Sequence, residues 1–168
     1  MGRWQQQWTA GAGQPRSPGM KTRRIIPDIM SWVNRKHGEI DFYLSQLFTG
    51  HGFLRSYFVE KGILDGSPNC PVCEHQVEDV DHVMFHCPRF ARTQHEMQQQ
   101  SHTRLTIENL AAEMCANSNT WEAVRTAART IFRNLQVRWN EESPPTARRR
   151  RQQRRRNTEQ TGQQQLPP

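Results

Sequence analysis

No stretch of this chain is apolar over the ~18–20 residues that a bilayer-crossing helix requires. The N-terminus also lacks the apolar segment of a secretory signal. Both absences predict an intracellular, reducing setting with no membrane partner. In such a setting, close-set cysteines point to a metal before a disulfide. Apolar residues are scarce at 34%, against about 45–50% in a usual globular domain. Alternating strand patterns are few and internal repeats are missing, which argues against a sheet or a solenoid.

The apolar shortfall is uneven. Residues 1–24 and 143–168 are polar and rich in Gly, Pro or Arg. Neither segment can bury enough apolar area to offset its chain entropy. Residues 1–24 are therefore expected to be a flexible linker or a remnant of an upstream region, and residues 143–168 a disordered tail. The foldable part is residues 25–142. Charge is uneven as well. Of the net +7, the segment from Arg148 onward holds +6, from seven arginines and one glutamate. The rest has 23 − 7 = 16 basic and 16 − 1 = 15 acidic residues, or +1. A basic tail predicts a polyanionic partner, RNA or DNA, and fits nuclear targeting.

Within residues 25–142 the apolar period is helical. Ile29, Trp32 and Val33 share one face. Ile40, Tyr43, Leu44, Leu47 and Phe48 share another, before Gly50 and Gly52 break the pattern. Phe53, Leu54, Tyr57 and Phe58 form a third, stopped at Gly62. Thr106 is a candidate cap. The longest pattern places Trp121, Val124, Ala128, Ile131, Leu135 and Trp139 at steps of three and four, an amphipathic helix of about five turns. The predicted fold is mainly α: a small bundle of short helices with little apolar content around residues 63–88.

That weak region carries NCPVCEHQVEDVDHVMFHC, residues 69–87. Cys70 and Cys73 are two residues apart across a turn that Pro71 favours. His82 and Cys87 follow, giving C-x2-C-x8-H-x4-C. Zinc takes four tetrahedral ligands of this mixture. The stretch around His82 reads as a short helix with acids in its first turn. Competing ligands are His75, cramped beside Cys73, and His86, adjoining Cys87 and directed elsewhere on a helix. A Cys70–Cys73 disulfide would close a strained ring, and pairing either with Cys87 leaves a thiol spare. Cys115 reads as a small core residue. Four protein ligands leave no position for substrate, which points to structural Zn2+. Arg89 and the turn amides are candidates to compensate the thiolates.

With these residues in view, the chain resembles the C-terminal segment of non-LTR retrotransposon reverse transcriptases of the Jockey/I group. The resemblance lies in IIPDIMSWVNRKHGEIDFYLSQLFTGHGFLRSYF, in CPVC…DVDHVMFHCPRF and in LTIENLAAEMCANSNTWEAV. The leading WQQQW fits the family's upstream region, so the likeness spans residues 4–142. It implies that Cys70, Cys73, His82 and Cys87 form the CCHC zinc knuckle of a larger polyprotein. It also implies an accessory role in target-primed reverse transcription. Polymerase activity is not implied here, because the chain has no adjacent aspartate pair and no room for a palm or an endonuclease.

Three functions compete. The first is a non-catalytic nucleic-acid-binding domain. Its candidate contacts are Arg35, Lys36, Arg55, Arg89 and Arg92, with Arg148, Arg149, Arg150, Arg151, Arg154, Arg155 and Arg156 in the tail. Taken singly, such residues are more often ordinary solvated surface charges. His51, in TGHG, either meets phosphate or fixes a turn. The second is a protein-interaction or scaffold module built on the 121–139 helix. The third is a zinc deaminase: HGE at 37–39 with PNCPVC resembles H-x-E…P-C-x-x-C, making His37 a ligand and Glu39 a proton shuttle. That reading leaves His82 and Cys87 unexplained.

Overall fold

The computed structural model describes residues 2–10 and 19–142. Residues 11–18 of the expected linker, and the arginines from Arg148 to Arg156, lie outside the described residues. Among the described residues, eight α-helices follow one another: α1 (Arg3–Ala10), α2 (Met20–Ile25), α3 (Ile29–Asn34), α4 (Phe42–Thr49), α5 (Arg55–Glu60), α6 (Ala91–Gln99), α7 (Leu110–Ala116) and α8 (Ser118–Glu142). Between α5 and α6 lie a wide π-helical turn, His82–His86, and a 3-10 turn, Pro88–Phe90. Among the described residues, strand pairing is limited to one bridge, Asn69 with Val77, and no helix is long and apolar enough to cross a membrane.

Helix α8 is the spine. It starts where the Asn117 side chain accepts from the amides of Asn119 and Thr120, at 2.8 and 3.3 Å. Such a cap satisfies donors that the first turn leaves free. Trp121, Val124, Ala128, Ile131 and Leu135 are buried along one face, as their spacing predicts, joined by Ala123, Ala127 and Phe132. Helices α4, α6 and α7 pack on that face. The small alanines let these helices approach closely, and the larger side chains fill the gaps between them. At the far end, the Trp139 ring lies 4.0 Å from Phe58 of α5.

The shorter helices depart from the simple pattern in instructive ways. Helix α3 begins after Pro27, with Asp28 accepting from the amides of Met30 and Ser31. No residue of α3 is buried. Trp32 leans edge-on against Phe48 at 4.7 Å, while Val33 faces solvent. Ile40 also stays exposed, because α4 starts only at Phe42, capped by Asp41. Asn109, not Thr106, sits at the start of α7, where its side chain accepts from the Thr106 amide at 2.8 Å.

Where residues 1–24 are described, they include α1 and most of α2. In α1, Trp8 donates its indole N–H to the Ile26 carbonyl at 2.7 Å, and Gln5 bonds both the Pro27 carbonyl and the Ile29 amide. Helix α2 crosses the expected boundary at residue 25 and buries Ile25 beside Ile26. Composition averaged over 24 residues hid two short amphipathic turns that gain stability only by docking.

Candidate metal centre

The centre is assembled from two local devices. The first is a hairpin-like loop. Around the Asn69–Val77 bridge, the Cys70 amide donates to the Gln76 carbonyl at 2.8 Å and the Glu78 amide to the Pro68 carbonyl at 2.9 Å. Inside it, the Glu74 amide closes back on the Cys70 carbonyl at 2.9 Å, with Glu74 in the left-handed region at φ 52°. The Asn69 side chain donates to the Glu74 carbonyl at 2.7 Å and pins the turn. This brings Cys70 and Cys73 to one side of the loop.

The second device is the wide turn. Asp79 accepts from the His82 amide at 2.9 Å and starts it. The Cys87 amide then reaches back five residues to the His82 carbonyl at 2.7 Å. On a regular α-helix, residues five apart point about 140° away from each other. The extra residue in this turn brings His82 and Cys87 back toward one side. Gln94 of α6 donates to the carbonyls of Val83 and Cys87, at 3.0 and 3.1 Å, taking up acceptors at the end of the turn. A π-turn of this kind often marks a functional site.

The ligand atoms of Cys70, Cys73, His82 and Cys87 all lie within 4.8 Å of one another. The Cys70 and Cys87 sulfurs are 3.8 Å apart. That is far from a disulfide bond of about 2.05 Å. It matches the S···S edge of about 3.8 Å for a tetrahedron with metal–sulfur bonds of about 2.3 Å. Both ring nitrogens of His82 are buried without a hydrogen-bond partner. A buried polar atom left in this state is costly. A metal bound through one nitrogen satisfies that atom directly.

Charge around the sulfurs is organised by Arg89. Its Nε donates to the Cys87 sulfur at 3.2 Å and its Nη2 to the Cys70 sulfur at 3.3 Å. The same Nη2 bonds the carboxylate of Glu78, whose other oxygen accepts from the Arg55 amide at 3.2 Å. Both members of the pair are nearly buried, at 11% and 4% side-chain exposure. Burial opposes the charge on Arg89, but the Cys87 sulfur and then Glu78 outweigh it and raise its pKa. Burial likewise opposes ionisation of Cys70, yet the Val72 and Cys73 amides, with Arg89, bring its pKa down. Cys73 is pushed up to about 11 by desolvation and by its two sulfur neighbours. Cys73 therefore stays a thiol until a cation beside its sulfur displaces the proton. Burial lowers the pKa of His82 and keeps its imidazole neutral, the form that ligates metal. A dication with three thiolates would carry net −1, an excess that Arg89 faces while it also holds the buried Glu78 carboxylate.

The other candidates fall elsewhere. His75 is exposed, and His86 faces Asp81 at 3.5 Å with 64% of its side chain exposed. His37 bonds the Met114 carbonyl through Nε2 at 2.8 Å and stands edge-on to Trp121. Among the described residues, the grouped ligands include His82 and exclude His37, so the H-x-E pattern does not join the cysteines. Cys115 is half-buried and apart from them. Of the expected nucleic-acid contacts, Arg89 is committed to sulfur and Glu78, Arg92 is exposed and paired with Glu96 at 2.8 Å, and Arg35 lies over the rings of Trp32 and Trp121. His51 is exposed, tilted over the Tyr57 ring at 4.8 Å. Glu78 was legible in sequence only as one acid of a first turn. Its partnership with Arg89 depends on the fold.

Compared with known protein families, curated proteins and solved structures, the chain has no match.

Proposed function

We propose that this chain is a non-catalytic, zinc-organised module that binds RNA or DNA, of the kind that closes the polyprotein of a non-LTR retrotransposon. The observation that carries the reading is the convergence of Cys70, Cys73, His82 and Cys87 within 4.8 Å. Three thiolates and one imidazole are a structural zinc set. They fill a tetrahedral shell, so the metal would hold the loop and the wide turn together and leave no coordination position for a substrate. The chain's own contribution is the scaffold: Arg89 balances the charge, and Gln94 and Asp79 hold the turn. Positive charge supports the choice of partner. The chain carries +7 overall, and phosphate neutralisation supplies most of the affinity of such modules.

The test uses the whole chain. It should purify with one equivalent of zinc, and Cys70→Ser should lose it. Titration against single- and double-stranded RNA and DNA should show salt-dependent binding, weakened toward all sequences alike by deleting residues 148–168. Normal zinc content in Cys70→Ser would refute the metal assignment. Absence of nucleic-acid binding by the whole chain would leave a scaffold or interaction module. Deaminase activity lost in Glu39→Ala but kept in His82→Ala would replace this reading with an enzyme.

A further inference from the structure

The solvent face of α8 carries a feature that the metal centre does not use. Residues 123–140 include Arg125, Arg129, Arg133 and Arg138 and no acidic residue. Arg125, Arg129 and Arg133 repeat every four positions, so they form one stripe, with a rise of about 6 Å between neighbours. Arg129 is 58% exposed and Arg133 is exposed. Two acids border the stripe. Glu122 meets Arg125 at 2.7 Å, and Asp41 meets Arg129 at 3.8 Å. Arg133 has no acidic partner among the described residues.

Beside the stripe, α4 supplies aromatic rings. The Arg129 guanidinium lies 5.9 Å from the Tyr43 ring centre. The Phe42 ring stands edge-on to Tyr43 at 5.3 Å and is 58% exposed. Exposing a phenylalanine this far forgoes burial that folding normally rewards. A row of guanidiniums flanked by an open aromatic ring is the chemistry that holds single-stranded nucleic acid: phosphates on the arginines and an unstacked base on the ring. A duplex offers phosphates but keeps its bases stacked, so it has no use for Phe42.

Building on the nucleic-acid reading above, we propose that the α4–α8 face, Arg125, Arg129 and Arg133 with Phe42 and Tyr43, is a single-strand binding surface. It is continuous in sequence with the arginines that begin at Arg148, six residues beyond the end of α8.

The test measures the full-length chain against a fluorescent 12-nucleotide oligo-U, the matching oligo-dT and a 12-base-pair duplex at several salt concentrations. Arg125→Gln/Arg129→Gln/Arg133→Gln should weaken all three and flatten the single-strand salt slope by about 0.7 per lost phosphate contact. Phe42→Leu should weaken single-strand binding by about 5- to 150-fold, the range for one stacked base, and leave duplex binding unchanged. Phe42→Trp should retain single-strand binding, which separates stacking from a folding defect. Wild-type affinity and slope in both the triple variant and Phe42→Leu would overturn the proposal. Equal weakening of duplex and single strands by Phe42→Leu would overturn its single-strand part. A whole chain that binds none of the three probes would instead refute the nucleic-acid reading beneath it.

Discussion

Replacing Arg89 by glutamine would remove the guanidinium that reaches Cys70 and Cys87 at 3.2–3.3 Å and leave Glu78 buried without its partner. Partners of metal ligands at this position typically contribute 10- to 100-fold in metal affinity. Arg89→Gln should therefore lose zinc to a competing chelator at about 10- to 100-fold lower chelator strength than wild type. It should also melt earlier, because an uncompensated buried carboxylate is costly. Arg89→Met with Glu78→Leu should recover the melting temperature but not the metal affinity, which separates the two effects. A second residue is sensitive for steric reasons. Gly38 has φ +80°, and a Cβ there would lie 2.1 Å from Cε2 of the Trp121 indole. Overpacking a fixed core ring costs about 1–3 kcal/mol, and the left-handed backbone adds to it. Gly38→Ala should thus lower the denaturant midpoint measurably without changing zinc content.

Among the elements, α8 has most to lose from a single cap. Its first-turn amides depend on the Asn117 side chain, and its whole buried face follows from where it starts. Asn117→Ala should cost about 1 kcal/mol, read as a shift in urea midpoint at constant slope, while Asn117→Asp should cost little. The wide turn at His82–His86 is a different kind of element. It trades regular helix geometry for the alignment of two ligands, and Val83 and Met84 inside it are fully buried. The candidate metal centre is therefore fused to the core through the turn that presents His82 and leads into Cys87.

For the molecule as a whole, a metal held by these four side chains would contribute to folding, because it would join the loop to the wide turn in addition to the Arg89 bonds and the core packing of Cys70, Val83, Met84 and Cys87. Chelation should lower the melting temperature and remove amide-exchange protection first across residues 65–90. The α4–α8 and α7–α8 contacts should stay protected longer. Acid should act in the same direction. The ligands bind metal as thiolates and neutral imidazole, so falling pH returns protons to them and releases the metal. The stabilisation is present at neutral pH and lost as pH drops, with released zinc and ellipticity changing together. Unchanged exchange protection after complete chelation would show that the core holds the loop alone.

The sequence by itself determined what is local. The four candidate ligands span 18 residues, from Cys70 to Cys87, and their spacing was enough to name the set that the structure brings together. The helical fold class and the buried stripe of α8 followed from a period repeated many times over. Only the tertiary structure decided what joins distant residues. Gly38 meets Trp121 and Tyr43 approaches Arg129 across more than eighty positions. Helix α1 docks through Trp8 and Gln5 on a segment that composition separated from it. Arg89 could be named from its place in the sequence as a candidate to compensate the thiolates, but no one-dimensional pattern records that the buried Glu78 carboxylate holds it there as well. Spacing along a chain fixes which side chains a single turn or helix can present. Which of those side chains meet is set by how the elements pack, and packing is a sum over partners that sequence order does not contain.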